Sequence, residues 1–419
     1  MTSDVIIIGA GAAGLMAARE LKRAGKTVIV LEASERIGGR TFTLTNTAAG
    51  LPIDVGASFV HGDAPETTKL LGEARLVTVP VLGRQFRWEH GRLSEQGPIW
   101  KRMSRAFKYM KSDRKEDRSF QEFLDGLPGG KGLEAARELA RGFIEGFNGA
   151  DTNLISEKSL AQGDPGEGAR RSRRIVSGYC ALIDYLKHDV AGFIHVNHAA
   201  KKIIWSRSHV RVIDIYGTAY TAKAVIVTVP LPILQDDTIV FEPEIPGLRA
   251  AARLLVMGHV AHVNVVVKEK FWEEKFEDLS FVHTPARAFL VWWTHYPLQA
   301  PVITAWSGGP SALKLTKSGK VDETAMSELA RVFGMRRSRA EGLAESIHYH
   351  DWSSDRNIRG AYSYVGVGGA DAPAVLAKPI EGTLFFAGEA TSPDTSGTVE
   401  AALATGKRAA RQLLRRTYD

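Results

Sequence analysis

The stretch VIIIGAGAAG, residues 5–14, decides the fold of this chain. Val5–Ile8 is an apolar run suited to a fully buried parallel strand, and the glycine turn behind it opens a helix. Gly9 permits the tight turn, Gly11 lets the backbone approach a pyrophosphate, and Gly14 lets helix and strand pack closely. Because the first N–H groups of a helix lack partners within it, the pattern predicts a dinucleotide phosphate site at this helix N-terminus.

The next predicted strand, Thr27–Leu31, ends directly before Glu32, at about the twenty-residue distance that a dinucleotide fingerprint requires. The Glu32 carboxylate would accept hydrogen bonds from ribose hydroxyls. An acid at this position disfavours the 2′-phosphate of NADP, which leaves FAD or NAD. Arg36, Gly39 and Arg40 then provide guanidinium and backbone donors for a second anion site, and this combination favours FAD. The alternative is an ordinary turn with surface arginines.

Six motifs follow one another over nearly the whole chain. They are GAGAAG at 9–14, LEASERIGGR at 31–40, DVGASFVHG at 54–62, VIVTVPLPIL at 225–234, WxxDxxxxGAYSY at 352–364 and FFAGEATSPDTSGTVEAALATG at 385–406. In order and spacing they resemble the flavin amine oxidase family, which includes monoamine and polyamine oxidases. The resemblance implies an α/β fold in which a discontinuous FAD-binding Rossmann-like domain, of the glutathione reductase and p-hydroxybenzoate hydroxylase type, is joined to an α+β substrate domain.

The predicted domains are discontinuous, because cofactor motifs lie at both ends of the chain and again near 199–234. The FAD-binding segments are predicted at 1–76, 172–248 and 370–419, and the substrate-binding segments at 77–171 and 249–369. The first substrate segment contains three helical patterns and is predicted to be helical. The second segment mixes strand patterns with a helix.

The resemblance also implies cofactor contacts along these motifs. Glu389 is expected near the ribityl and pyrophosphate groups, and the backbone of Thr398 and Val399 near the flavin pyrimidine edge, where a helix N-terminus would stabilise negative charge on the reduced ring. Ala361 stands where monoamine oxidases carry the cysteine that bonds to the flavin, and Cys180 lies in another segment, so non-covalent FAD is predicted. The predicted cofactor-binding residues are Gly9, Gly11, Ala13, Gly14, Glu32, Ala33, Arg36, Gly39, Arg40, Gly56, Ala57, Ser58, Ala200, Gly388, Glu389, Thr398 and Val399.

In the family an aromatic cage stands before the flavin, and this sequence carries only part of it. Tyr362 matches one wall, and Trp352 belongs to the same motif. The second aromatic wall of monoamine oxidases falls at Thr398. A half-built cage leaves room for a wider or more polar substrate. Core packing is the alternative role for Tyr362 and Trp352.

A second departure from the family lies at His262, where relatives usually have a lysine that holds a water against flavin N5. The strand period of two puts His262 and Asn264 on one face. The imidazole could therefore hold that water, bind substrate or be a satisfied core residue, and oxygen reactivity could be lower than in an oxidase. His61, in the third motif, matches a histidine that lies near the substrate in several polyamine oxidase relatives. A structural hydrogen-bonding role is the alternative for His61.

The leading functional prediction is a flavin-dependent amine oxidase that acts on a small-molecule amine. A hydride would pass from the carbon beside the nitrogen to flavin N5, the imine would hydrolyse to an aldehyde or ketone, and O2 would be reduced to hydrogen peroxide. Two alternatives stay open. One is a dehydrogenase or desaturase of the same superfamily with a non-amine substrate or another acceptor, and the other is a catalytically silent FAD-binding scaffold. The identity of the amine and the oligomeric state stay open as well.

Composition narrows the remaining classes of protein. The net charge of +7 would suit an anionic partner, but the basic run Arg170, Arg171, Arg173 and Arg174 lacks interleaved aromatics, so a solvated loop is predicted and nucleic acid is not. The paired histidines lack a third ligand in sequence reach, so no metal is predicted. No apolar window fits a membrane anchor or signal peptide, and a single cysteine gives no sign of an oxidising compartment, so a cytoplasmic location is predicted.

Overall fold

The computed structural model describes residues 2–96, 99–127, 130–163, 171–285 and 287–415. Helices and strands alternate along the chain, and the strands assemble into three larger sheets and three small ones within these ranges. The predicted α/β class is confirmed.

A sheet of five parallel strands, which we call the cofactor sheet, is built around the N-terminal fingerprint. In spatial order its strands are Ile194–His195, Val28–Leu31, Val5–Ile8, Ala224–Val227 and Leu384–Phe386. All but the short edge strand are fully buried, as expected for apolar runs in a parallel sheet. Chain order reverses at Val5–Ile8, and at such a switch point ligands bind beyond the carboxyl ends of the strands.

Both faces of the cofactor sheet are covered. On one face, the helices Ala12–Arg23 and Val399–Arg415 share an apolar cluster with the strands. Gly406 makes this helix pair close, because a Cβ at Gly406 would lie 2.2 Å from the carbonyl oxygen of Ala13. On the other face lies a four-stranded sheet. Its strands, in spatial order, are Ala219–Ala222, His209–Asp214, Ala200–Ser206 and Val240–Glu242.

A second large sheet, which we call the substrate sheet, has seven strands. In spatial order they are Ala344–His348, Val260–Val267, Val302–Gly308, Val291–Thr294, Leu279–His283, Arg84–Glu89 and Arg92–Glu95. Neighbouring strands are antiparallel except for Leu279–His283 and Arg84–Glu89, which are parallel. Val263 and Val265 on one face pack against the helix Val321–Val332. The opposite face carries His262 and Asn264, as the strand period predicted.

The hairpin at the edge of the substrate sheet corrects one prediction. Arg84–Glu89 and Arg92–Glu95 lie in the first substrate segment, which was expected to be helical. His90 and Gly91 both have positive φ angles, of 50° and 80°, which suits a two-residue hairpin turn. Edge strands carry many charged side chains, and here those charges hide the apolar alternation from sequence reading.

Each large sheet takes its strands from separated parts of the chain. The cofactor sheet and its four-stranded partner draw their strands from 1–76, 172–248 and 370–419, and the substrate sheet draws its strands from 77–171 and 249–369. The positions of the domain boundaries stay a prediction.

The remaining elements connect and cover these sheets. The other α-helices are Pro65–Glu73, Ile99–Phe107, Phe120–Asp125, Gly130–Asn148, Glu157–Leu160, Cys180–His188, Leu231–Gln235, Pro246–Arg253, Gly309–Lys317, Arg337–Leu343 and Ala372–Leu376, and the 3-10 turns are Ala191–Phe193 and Glu389–Thr391. The small sheets pair Thr43–Leu44 with Ile53–Asp54, Ser172–Ile175 with Val60–His61 and Thr78–Pro80, and Leu255–Met257 with Ser363–Val365. Within the described ranges, no helix combines the length and the apolar character needed to cross a bilayer.

Candidate active site

One cavity of about 1240 Å³ runs from the glycine turn of the cofactor sheet to the inner face of the substrate sheet. Its volume exceeds that of an ordinary small-molecule pocket and suits a dinucleotide together with a second ligand. Of the residues predicted to form the site, Gly14 is buried away from the cavity. The lining includes Gly9, Gly11, Ala13, Glu32, Ala33, Arg36, Gly39, Arg40, Gly56, Ala57, Ser58, His61, Ala200, His262, Trp352, Tyr362, Gly388, Glu389, Thr398 and Val399. The individual roles of these residues stay predictions.

The glycine turn has the shape that a diphosphate needs. A Cβ at Gly14 would lie 1.9 Å from the Gly9 carbonyl oxygen, so this glycine serves helix–strand packing. A Cβ at Gly11 would instead meet no atom closer than the Gly38 carbonyl oxygen at 4.0 Å, because the open side of Gly11 faces the cavity. The backbone at Gly11 is therefore accessible to a ligand at the N-terminus of the helix Ala12–Arg23.

Glu32 lies at the end of its strand with its carboxylate fixed. Its Oε2 accepts a hydrogen bond from the backbone N of Ala10 at 2.7 Å, and its Oε1 accepts one from the backbone N of Ser34 at 2.8 Å. A carboxylate has about four lone-pair sites, so both oxygens keep acceptor capacity for ribose hydroxyls. The position of Glu32 beside Gly9 and Gly11 on the cavity wall fits the predicted role.

Arg40 and Glu389 both line the cavity and form an ion pair in which Glu389 is buried and Arg40 is partly exposed. Arg40 Nη1 donates to Glu389 Oε1 at 2.7 Å and to the carbonyl oxygen of Ala361 at 3.0 Å. Ser363 Oγ and the backbone N of Gly397 also donate to Glu389. Burial opposes ionisation of Glu389, but Arg40 and these hydrogen bonds outweigh it and hold the carboxyl pKa below its usual value. Glu389 therefore holds Arg40 in place. Arg40 donates both of these hydrogen bonds from Nη1.

Trp352 belongs to the cofactor end of the cavity. Its Nε1 donates to the Val55 carbonyl oxygen at 3.0 Å, and its ring packs edge-on against His350. The Arg36 guanidinium lies 5.5 Å from the centroid of the Trp352 ring and 4.3 Å from that of Phe42. Burial lowers the pKa of Arg36. These contacts associate Trp352 with the predicted anion site at Arg36, although the sequence grouped it with the substrate cage.

The cofactor end as a whole fits a flavin dinucleotide. It offers a helix N-terminus at Gly11, two arginines, and one acid at the expected ribose position, which is the donor and acceptor set that a dinucleotide requires. Arg36, Arg40 and the Gly11 backbone would hold the diphosphate, and Glu32 would hold a ribose.

The far half of the cavity has the substrate sheet as its floor. Five lining residues lie in one row across five strands, each paired with the next by strand register: His262, Trp306, Val291, His283 and Arg87. Neighbouring strands are about 4.8 Å apart, so the row extends about 19 Å from His262 to Arg87. We call this half of the cavity the chamber, and His262 marks its inner end.

The wall of the chamber opposite the floor comes from the helix Gly130–Asn148 and from the third motif. Trp306 Nε1 donates to the Gly146 carbonyl oxygen at 2.7 Å, and Tyr362 Oη donates to that of Phe147 at 2.8 Å. His61 packs edge-on against Phe147, with ring centroids 5.2 Å apart, and its Nδ1 lies 2.9 Å from Ser172 Oγ. Tyr362 and His61 therefore both lie at the inner end of the chamber, and their roles toward a substrate stay predictions.

His262 is held as a neutral imidazole. It is 3% exposed, and its Nδ1 lies 3.2 Å from the Gly56 carbonyl oxygen. A carbonyl only accepts hydrogen bonds, so Nδ1 carries the hydrogen and Nε2 is left as an acceptor. Burial, aided by the charge of Arg174, lowers the His262 pKa to about 4 against the Gly56 hydrogen bond. At neutral pH this position therefore offers a hydrogen-bond acceptor and no positive charge.

Arg174 overturns the prediction of a solvated basic loop. It lies in the strand Ser172–Ile175 and is 5% exposed. Its guanidinium stacks on Phe59 at 4.2 Å and donates to the Thr294 carbonyl oxygen, while Nε has no hydrogen-bond partner among the described residues. Burial lowers the Arg174 pKa to about 9 and raises that of nearby Asp54 to about 6. Strand alternation turns Arg174 inward. Arg170 lies outside the described residues.

The Thr398 hydroxyl makes hydrogen bonds to neighbouring backbone groups. It donates to the Thr395 carbonyl oxygen at 2.8 Å and accepts from the backbone N of Ala401 at 3.0 Å, which caps the helix that begins at Val399. Thr398 lines the cavity, but it presents no ring there. Tyr362 lines this end of the cavity together with Trp306 and Phe147, two residues that the sequence had not singled out, and the role of Tyr362 as a cage wall stays a prediction.

The site also contains residues that sequence reasoning missed. Trp306, Trp293, His283 and Arg87 share the cavity face of the substrate sheet because they alternate with core residues along their strands. The alternation of polar and core residues along each strand could be read from the sequence, but the pairing of one strand with another could not. In the described part of the chain no cluster of three metal-ligating side chains occurs.

A dinucleotide-binding α/β fold whose cofactor cleft opens into a buried aromatic chamber defines an oxidoreductase with a nucleotide cofactor. Residues 12–414 match the model of the family described as flavin-containing amine oxidoreductase, and the chain belongs to that family. The resemblance drawn from the motifs is confirmed, as is the class of flavin-dependent amine oxidoreductase.

Two curated relatives illustrate the breadth of the family. Polyamine oxidase 3 of Oryza sativa subsp. japonica is 28% identical over 100% of this chain and 90% of its own length. Lysine-specific histone demethylase 2 of Homo sapiens is 29% identical over 98% of this chain, but the match spans only 53% of that protein.

Solved structures share the fold. A putrescine oxidase bound to putrescine superposes with a TM-score of 0.85 at 22% identity, covering 99% of this chain and 100% of that one. Cyclohexylamine oxidase from Brevibacterium oxydans gives 0.83 at 20% identity, covering 100% of both chains. The predicted architecture of a Rossmann-like cofactor domain with a substrate domain is confirmed.

Proposed function

We propose that this protein oxidises a small-molecule amine with non-covalently bound FAD, that the resulting imine hydrolyses to an aldehyde or ketone, and that O2 is reduced to hydrogen peroxide. The observation that carries the proposal is the single cavity that joins the dinucleotide cradle at Gly11 to a chamber ending at His262 and Tyr362. Relatives named as polyamine, putrescine and cyclohexylamine oxidases support amine oxidation. FAD, when bound, accepts the electrons removed from the carbon beside the nitrogen.

The chain's own part in this reaction is to position an uncharged amine away from water. Aromatic rings surround the inner end of the chamber: Trp306 lies 5.4 Å and Trp293 5.7 Å from His262, measured between ring centroids. Water exclusion favours the neutral amine, whose lone pair the oxidation requires. The Nε2 acceptor of His262 is suited to receive an amine N–H and so to orient the reacting carbon.

The residue at 361 supports non-covalent binding. Ala361 has a methyl side chain that forms no bond to a flavin, and its carbonyl oxygen is engaged by Arg40. Cys180 lies apart, and its sulfur accepts a hydrogen bond from the backbone N of Thr43 at 3.2 Å. Acid precipitation of the purified protein should therefore leave the yellow colour in the supernatant. Colour retained on the polypeptide would contradict the non-covalent assignment.

The central experiment follows bleaching of the flavin spectrum under anaerobic conditions with monoamines, polyamines and amino acids, and then admits air. Bleaching by an amine, followed by recovery with one peroxide per turnover, is the expected result. A bound flavin that no amine bleaches would contradict amine oxidation and would favour the desaturase or the silent scaffold.

A second candidate is an amine dehydrogenase that uses an acceptor other than oxygen, and His262 is the observation that favours it. The family's usual lysine would carry a positive charge where this chain has a neutral imidazole. The variant His262→Lys, with His262→Gln as an uncharged control, tests this point. If the missing charge limits the reaction with O2, the lysine variant should reoxidise faster in air by about tenfold or more, and the glutamine variant should not.

A further inference from the structure

The charges around the chamber define a substrate class, and this inference rests on the proposed amine oxidation. We infer that the chamber accepts an apolar, ring-bearing monoamine and discriminates against short diamines, whose second ammonium would be buried beside Trp306 and Val291. Three observations support it: the location of the carboxylates, the length of the apolar floor, and the sign of the nearest buried charges.

The carboxylates of the cavity are either remote from the chamber or open to water. Among the described lining residues, Glu32, Asp355 and Glu389 lie at the cofactor end. Glu400 accepts hydrogen bonds from the backbone of residues 66 and 67. Asp63 is exposed and pairs with Arg171. Glu138, on the helix Gly130–Asn148, and Asp394, in the loop before the helix Val399–Arg415, are exposed. No described carboxylate therefore faces the floor between His262 and His283.

The floor is too long for a short diamine to reach a counter-charge. Glu138 precedes Gly146 by eight residues on one helix, which places it about 12 Å along the axis from the point above Trp306. The two nitrogens of 1,4-diaminobutane are separated by only four carbons. With one nitrogen at His262, the other would lie over Trp306 or Val291, about one or two strand spacings of 4.8 Å away.

The buried charge nearest to the inner end of this floor is positive, because Arg174 stacks behind Phe59, which lines the chamber. Arg87 ends the floor row and forms an ion pair with Glu89, whose carboxylate does not line the cavity. Together with burial, Arg87 lowers the pKa of His283 to about 4, as Arg174 does for His262. The aromatic rings would attract an ammonium through cation–π contact, but such contact recovers only part of the hydration that the ion loses. The surroundings thus disfavour a second ammonium and leave an apolar ring as the complementary group.

The first test compares substrates on the wild-type holoenzyme. Rapid mixing without oxygen measures the rate and the amine concentration dependence of flavin reduction by 2-phenylethylamine, 1,4-diaminobutane, spermidine and phenylalanine. We expect 2-phenylethylamine to exceed 1,4-diaminobutane in reduction rate over half-saturating concentration by about 100-fold or more, since an unpaired buried charge is worth that factor or more. Equal or better use of the diamine, of spermidine or of phenylalanine would overturn the inference while leaving amine oxidation intact. Failure of every amine would instead refute the proposed function itself.

The second test adds a carboxylate to the floor of the chamber. Val291→Glu places a carboxylate two strands from His262, and Val291→Gln is the uncharged control of the same size. The glutamate variant should gain at least about tenfold in relative preference for 1,4-diaminobutane, and the glutamine variant should not. Equal effects of both substitutions would contradict the electrostatic argument. If the glutamate variant does not fold, the wild-type comparison still decides. A spermidine activity that Glu138→Gln abolishes would show that a remote carboxylate serves a polyamine, which also overturns the inference.

Discussion

The variant His262→Gln should have a free energy of unfolding that falls less steeply when the pH is lowered. The His262 pKa is about 4 in the folded protein and about 6.5 in an unfolded chain, because the native ring is buried. Between these values the unfolded state binds a proton that the native state does not, so stability is complete above pH 6.5 and falls as the pH drops toward 4. At 1.36 kcal/mol for each pKa unit, the burial of His262 lowers the free energy of unfolding by about 2 kcal/mol as the pH falls from 6.5 to 5.

The assay is urea unfolding of the FAD-saturated protein at pH 7.5 and pH 5, comparing wild type with His262→Gln. The variant loses packing and the Gly56 hydrogen bond at both pH values, so the difference between the two pH values isolates the protonation effect. That difference should shrink by about 2 kcal/mol in the variant. Asp54, whose pKa is raised to about 6, acts with the opposite sign but is present in both proteins. Identical pH dependence in the two proteins would refute the assignment of a buried neutral imidazole.

Three further predictions concern packing and the cofactor end. Gly14→Ala should lose bound flavin, measured as the flavin-to-protein ratio, because the new methyl would lie 1.9 Å from a backbone oxygen; full flavin content would contradict the tight turn. Trp306→Phe should lower the unfolding free energy by about 1 kcal/mol in urea, since it removes the 2.7 Å bond to Gly146; an unchanged value would argue against that bond. Glu389→Ala should lower the unfolding free energy by about 2 kcal/mol, because it leaves the partly buried Arg40 without its counter-charge. Glu389→Gln, which keeps the side-chain shape, should cost less, and a reversed order would refute the ion-pair reasoning.

Local signals explain why the cofactor half could be predicted. The turn at Gly9, the helix N-terminus after Gly11 and the acid at Glu32 are determined by residues close together in sequence. Strand period alone was also enough to place His262 and Asn264 on one face, because neighbouring side chains in a strand must point to opposite sides.

Distant contacts explain what the sequence could not provide. Arg174 looked like part of a solvated run, and its burial depends on Phe59 and Asp54, which lie more than a hundred residues away. The row from His262 to Arg87 depends on the order of strands in the sheet, which no local pattern encodes. The hairpin beginning at Arg84 was missed because its charges mask the apolar alternation.

The contact between Ala13 and Gly406 has a consequence for biosynthesis. The helix Ala12–Arg23 emerges early from the ribosome, whereas its partner, the helix Val399–Arg415, is made roughly 390 residues later. The part of the first helix that packs against Val399–Arg415 must therefore stay uncovered until that late helix is made, although other parts of the first helix can pack earlier against Val28–Leu31 and Cys180–His188. Contacts of such long sequence separation slow folding and expose nascent chains to aggregation. Newly made protein should thus depend on chaperones until the last helix docks, and only then should the cradle for the diphosphate become rigid.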